Sequence, residues 1–308
     1  MLKIYQQTIN KSVNFEGIGL HSGCNSKIKI KPGKEDQGII FVRTDLKKNN
    51  SILACYKNVS SAKLCTTLEN ENGNKVSTVE HLLAALYICE IDNAIIEINS
   101  EEVPIMDGSA KDFIEGLNDV SKKIQNKKRK YLKINESVKL LDGEKKISIE
   151  PSNMSFEVGF QLNYKNELIG KQKNFINLNS DSLEDIYNAR TFCLFEDIEK
   201  IKKIGLAKGG SLENAVVVKE NQVLNEDGLR NKKEFVNHKI LDLVGDFLLS
   251  GHRVLGKVEC YQGGHELSNK FLRKLMASKT SISTIELNEI LIPKKSLSEK
   301  LIKIAVNA

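Results

Sequence analysis

The chain has 308 residues, 46 Lys and Arg against 40 Asp and Glu for a formal charge of +6, and 40% hydrophobic residues. That length accommodates two domains of ordinary size, and the apolar content excludes wholesale disorder. A mild positive balance, with Lys interleaved among Asp, Glu and Asn, excludes a dedicated nucleic-acid binder and fits a protein whose ligand is acidic.

The first ten residues, MLKIYQQTIN, have no apolar export core. The longest apolar run, Leu82 to Cys89, is far short of the ~20 residues that span a bilayer, so neither export nor insertion is expected. Alternation in Ser26 to Lys31 and the apolar run Gly38 to Val42 predict strands. A helix is predicted from Ser77, with Glu80 as a capping-box partner and Val79, Leu82, Leu83 and Leu86 at helical spacing; it ends near Cys89, and Ala94 to Ile98 follows as a strand. Asp112 to Lys123 is a second amphipathic stretch.

The polar run Lys122 to Lys130 offers little to bury, which places a domain boundary there: residues 1–125, a linker at 126–131, and residues 132–308. The dense group Lys127-Lys128-Arg129-Lys130 is either a phosphate patch or, more simply, solvated linker. Alternation resumes in Tyr131 to Leu141 and Lys145 to Phe160. The glycine-bearing segment Thr191 to Gly228 looks like a β-α-β unit inserted into the second domain, around 193–222. Asn237 caps a predicted helix through Lys239, Leu241, Val244, Phe247 and Leu248, closed by Gly251, with Val254 to Tyr261 as the next strand. The order of His-bearing helix, short turn and apolar strand repeats that of the first half, and so predicts an α+β protein of two similar layers. Ser278 to Ala308 alternates and is assigned to closing the second domain. The six cysteines form no CxxC pair, which fits a reducing cytoplasm.

Three of the five histidines have acidic neighbours: His81 beside Glu80, His238 with Asp242 and Asp246, and His265 after Gly263-Gly264. At i and i+4, His238 and Asp242 can point at one ion, and Asp246 extends that face by a turn. Two imidazoles and a carboxylate suit a tetrahedral Zn²⁺ with one position open to water, as a hydrolase needs, and Glu80 can take a proton from that water. Each residue also has a plain reading: a hydrogen-bonded core histidine for His81, an ordinary helix-stabilising pair for His238 and Asp242, a solvated charge for Asp246, a loop residue for His265.

Seven motifs in order tilt the balance: Gly17-Ile18-Gly19-Leu20-His21-Ser22-Gly23, Ser77 to Leu86 (STVEHLLAAL), Pro104 to Ala110 (PIMDGSA), Ala189-Arg190-Thr191-Phe192, Leu224 to Arg230 (LNEDGLR), His238 to Asp246 (HKILDLVGD), and Gly263-Gly264-His265. Together they make the chain similar to the UDP-3-O-acyl-N-acetylglucosamine deacetylases across residues 17–265. The resemblance implies a zinc amidohydrolase that removes acetate from that nucleotide sugar in the committed step of lipid A synthesis in Gram-negative bacteria. It further implies two β-α-α-β domains facing each other across the site.

By position, the resemblance makes His81, His238 and Asp242 the metal ligands, Glu80 the general base and His265 the cationic general acid, with Asp246 orienting His265 and Thr191 holding the oxyanion. The chemistry agrees, because an acetamide needs a base to activate water and a separate acid to protonate its poor leaving group. For diphosphate and sugar the resemblance points to Phe192, Lys239 and Lys145, with Leu20 and Cys65 also at the substrate, and less directly to His21 and Asp197. Lys145 is equally readable as solvated charge. The insert implies an apolar passage for the acyl chain at Phe195, Ile198, Ala207, Leu212, Ala215 and Val217, positions otherwise readable as core. Two departures stand out: Gln262 where relatives carry Lys, and Leu162 where they offer an aromatic to uracil, with Tyr164 nearby. An amphiphilic substrate implies work at the cytoplasmic face of the inner membrane, with peripheral contact at most, and no obligate protein partner is evident.

Overall fold

In the computed structural model, which describes residues 2–288, the alternation of the first third becomes a five-stranded sheet. Asn25–Pro32 buries Ser26, Ile28 and Ile30 while Lys27 and Lys29 face out, the period-two pattern of a half-buried strand. The strand order is Val13–Ile18, Asn25–Pro32, Ala94–Ile98, Ile39–Arg43, Ser51–Leu53. Ala94–Ile98 runs parallel to Ile39–Arg43, so a crossover must join them, and it carries helix α1 (Glu80–Ile88). Helix α2 (Lys111–Asp119) lies nearby, its Phe113 ring edge-on to Phe15 at 5.1 Å.

The later alternation forms a seven-stranded sheet centred on Arg253–Tyr261, which pairs with Lys145–Glu150, Lys130–Ile134 and Phe156–Asn163. Ile282–Glu286 closes its edge against Lys130–Ile134; the rest of the expected closing segment, 289–308, lies outside the described residues. After the short helix α3 (Glu184–Tyr187), the insert is a β-α-β unit: Phe192–Leu194, helix α4 (Phe195–Lys203), then Val216–Lys219 parallel to the first strand. Helices α5 (Glu234–Leu248) and α6 (His265–Ala277) complete a mixed α+β architecture, as expected. No helix among the described residues is long and apolar enough to cross a membrane.

Helices α1 and α5 pack on each other, and α5 also packs on Phe156–Asn163. Residues 80–87 of α1 are all buried, so it is not amphipathic but covered all round, and its only charged or imidazole side chains are Glu80 and His81. Burying those groups is costly unless they face partners or a ligand. The close packing depends on Gly245, where a Cβ would lie 2.0 Å from the Glu80 carbonyl oxygen. Gly245→Ala is therefore expected to push the helices apart, destabilising the fold by roughly 1–3 kcal/mol and lowering turnover through displacement of Glu80, as denaturant melts and steady-state rates will show.

Three local expectations differ from the structure. Helix α1 starts at Glu80 and forms no capping box: Ser77 Oγ donates to the Glu101 carbonyl, Thr78 takes a left-handed φ of 56°, and the Glu80 carboxylate turns to the Thr66 N–H. Helix α5 begins at Glu234, three residues before Asn237, whose amide bonds Asn231 and Asn174 from inside the helix. The polar run is not bare linker: Lys122–Lys128 is a strand antiparallel to Tyr5–Ile9, and Arg129 is buried on Asp92 at 2.7 Å. Lys127 also pairs with Asp36 and Lys128 bonds the Asn288 amide, which leaves little of a phosphate patch.

Candidate active site

Helix α5 presents His238, Asp242 and Asp246 one turn apart, α1 contributes Glu80 and His81 across the seam, and α6 opens with His265. All six are buried. The side-chain donor atoms of His81, His238 and Asp242 lie within 4.8 Å of one another. His238 Nδ1 donates to the Ala189 carbonyl at 3.1 Å, which fixes the tautomer and turns the Nε2 lone pair towards Asp242 Oδ1, 3.3 Å away. His81 Nε2 is 3.4 Å from the same oxygen. Burial pushes the His238 imidazole down to about 3, so it stays neutral. Among the described residues, Asp242 Oδ1 has no hydrogen-bond partner although buried, and neither has His81 Nδ1. Two imidazoles and an unpartnered carboxylate oxygen converging in this way fit a divalent cation with nitrogen and oxygen ligands.

Electrostatics separate the remaining carboxylates and the imidazole. Burial raises the Glu80 carboxyl, although His265 and His81 oppose it. Burial would raise Asp242 too, but His238, Lys239 and His265 hold it well below the usual carboxylate range, and Lys239 Nζ donates to Oδ2 at 2.8 Å. Burial would lower His265, but Asp246, Glu80 and Asp242 together raise it to about 10. Its Nδ1 donates to Asp246 Oδ2 at 3.0 Å, and its Nε2 lies 3.7 Å from Glu80 Oε1. A buried carboxylate whose proton affinity is raised, beside an imidazole that its carboxylate neighbours favour as the cation, is a pair that can serve acid–base hydrolysis.

The sequence-derived substrate positions fall into two groups. Leu20, Phe195, Ile198, Ala207, Leu212, Ala215 and Val217 face one cavity of about 370 Å³ that reaches Thr191 and Phe192. Thr191 is pinned by its own backbone, its N–H on the Gly108 carbonyl and its carbonyl receiving Val216 N–H, both at 2.8 Å. Phe192 lies under Lys239 Nζ at 5.4 Å, with Tyr164 leaning on its ring at 5.9 Å. His21 borders the cavity, its buried Nε2 without a hydrogen-bond partner among the described residues. Cys65 is buried near Glu80, its thiol pushed up to about 12 by burial. Lys145 and Asp197 are less engaged: Lys145 is exposed at a strand end one step beyond the Lys146–Tyr261 pair, and Asp197 bonds Lys200 on α4. Gln262 accepts the Asn163 N–H at 3.0 Å and donates back to the Asn163 carbonyl, and Leu162 is buried in the core, so neither offers a charge or a ring to a ligand.

Two residues escaped the sequence reading. Thr66 donates its N–H to Glu80 Oε2 at 3.0 Å and its hydroxyl to Asp246 Oδ1 at 2.7 Å. Buried Glu102 accepts the N–H groups of His21 and Ser22 at 2.8 and 2.7 Å and the Thr78 hydroxyl at 2.8 Å, tying the 19–24 loop to the base of α1. A Thr-Thr pair and a Glu-Glu pair after a strand carry no pattern that would have marked either.

The fold and this site fit a hydrolase, with donor groups suited to a cation and a buried carboxylate–imidazole pair gathered at a helix seam. Residues 6–277 match the family model described as UDP-3-O-acyl N-acetylglycosamine deacetylase. Similar proteins include UDP-3-O-acyl-N-acetylglucosamine deacetylases of Syntrophotalea carbinolica, 44% identical over 93% of this chain and 92% of the relative, and Geotalea uraniireducens, 43% identical over 92% of each. That of Haemophilus ducreyi is 40% identical over 90% of this chain and 92% of its own. The chain belongs to the UDP-3-O-acyl N-acetylglycosamine deacetylase family and is a hydrolase.

Proposed function

We propose that the chain hydrolyses the acetamide of UDP-3-O-acyl-N-acetylglucosamine to acetate and UDP-3-O-acyl-glucosamine, the committed step of lipid A synthesis, with Zn²⁺ held by His81, His238 and Asp242. The observation that carries this reading is the convergence of those three donors within 4.8 Å, one of them a buried carboxylate oxygen with no hydrogen-bond partner, beside Glu80 and His265. A bound Zn²⁺ supplies Lewis acidity, polarising the amide carbonyl and making water easier to deprotonate. Glu80 takes the proton of the water that attacks the acetamide carbon. The Thr191 hydroxyl faces the oxyanion that forms. His265, held charged and oriented by Asp246, gives its Nε2 proton to the departing nitrogen as the C–N bond breaks. Lys239 and Phe192 hold the sugar diphosphate side, with Lys145 at its edge.

The acyl chain occupies the cavity of about 370 Å³ within the insert. Each methylene it buries contributes about 0.8 kcal/mol, so cavity length selects acyl length. The same reading keeps 1–125 and 132–308 as two domains joined at 126–131 with the site between them, supported by sheets drawn separately from residues 13–98 and 130–286. A cytoplasmic setting, with peripheral contact at the inner membrane, accords with six free cysteines and an amphiphilic substrate. Acetate release from substrates of graded acyl length tests the reading. Turnover should rise with each methylene until the cavity is filled and then fall, whereas an absence of acetate at every length would refute the assignment.

A further inference from the structure

We infer that Thr66 is a positioning residue for the hydrolysis, one residue that sets the general base and the general acid relative to each other; this rests on the roles given above to Glu80 and His265. Thr66 is 2% exposed and follows Leu64, whose φ of 67° turns the chain back towards the seam. It belongs to neither helix of the site. Its N–H holds Glu80 Oε2 from α1 at 3.0 Å, and its hydroxyl holds Asp246 Oδ1 from α5 at 2.7 Å.

Each carboxylate is thereby held through one oxygen and presents the other to His265. Glu80 Oε1 faces His265 Nε2 at 3.7 Å, and Asp246 Oδ2 accepts from His265 Nδ1 at 3.0 Å. A carboxylate bonded through a single oxygen can swing about its last torsion, and the second bond removes that freedom. Losing the hydroxyl would release Asp246 and, with it, the imidazole that must meet the leaving nitrogen. Thr66 makes no hydrogen bond to His81, His238 or Asp242, so a change to its side chain breaks no bond to a proposed ligand. The neighbouring Thr67 makes no comparable contact, its hydroxyl meeting only the Cys65 sulfur at 3.9 Å.

Thr66→Val removes the hydroxyl while keeping the shape and the backbone N–H, and Thr66→Ser keeps both donors. In the metal-loaded enzyme, Thr66→Val should retain its metal and KM while kcat falls about 10- to 100-fold, the usual cost of losing an orienting partner. Thr66→Ser should recover kcat to within a few-fold. The downfield ¹H resonance of His265 Nδ1–H should shift or broaden in the valine variant and return in the serine variant, a signature that general loss of stability would not produce. If the valine variant does not accumulate, Thr66→Ala, which adds no bulk, carries the same expectation. Unchanged kcat in the variant lacking the hydroxyl, or equal losses in it and in Thr66→Ser, would overturn the inference. Failure of the underlying reading looks different: Glu80→Gln and His265→Ala would then turn over normally, whatever Thr66 does.

Discussion

Glu80→Gln will retain the bound metal and lose about 10²- to 10⁴-fold in kcat, the range set by removal of a general base. The substitution is nearly isosteric, and its amide oxygen can still accept the Thr66 N–H that now holds Oε2 at 3.0 Å, so α1 should start where it does in the native chain. What disappears is a carboxylate whose proton affinity burial has raised, which makes it a stronger base towards water. KM should change little, because Glu80 is asked to act on water and not on the sugar. Elemental analysis alongside steady-state kinetics checks both halves, and metal lost together with activity would show that Glu80 serves the metal site instead.

The second large effect falls on His265. Its alanine variant should lose a further proton donor of comparable weight, about 10²- to 10⁴-fold. The pH dependence has a defined sign. The folded pKa is raised, from 6.5 to about 10, by carboxylates that favour the cation. In the metal-free protein the stability this confers is therefore complete below about 6.5 and is lost as pH rises through about 10. In the metal-loaded enzyme the adjacent dication opposes the imidazolium and moves the midpoint downwards, so kcat/KM should fall on an alkaline limb that begins below pH 10. That limb should vanish in His265→Ala. A wild-type profile flat to high pH, or an alkaline limb that survives in the variant, would remove His265 from the role of acid.

Much of this was legible in the chain. Strands such as Asn25–Pro32 follow from strict alternation, and the helix face at His238, Asp242 and Asp246 follows from i, i+4 spacing. The start of α1 differs from its sequence pattern for a reason that lies in the site. Ser77 and Glu80 have the form of a capping box, but the carboxylate that would close it is turned to the Thr66 N–H. The basic run 127–130 looked solvated because sequence does not reveal that Tyr5–Ile9 returns to pair with Lys122–Lys128, or that Asp92 waits for Arg129. Thr66 and Glu102 stayed invisible for the same reason: each acts through contacts with residues remote in sequence or through backbone N–H groups, which leave no spacing to read. The six insert positions were ambiguous between core and passage, and only the fold brings them around one cavity.

Metal content and acetate release, measured together on the wild-type protein and on His238→Ala, test the central claim most directly. His238 is the proposed ligand whose tautomer the Ala189 carbonyl fixes, so its loss should leave the other two donors too few to hold an ion. The account predicts near-stoichiometric zinc and turnover in the wild type, with both lost in the variant. Metal and turnover that survive unchanged in His238→Ala would contradict it.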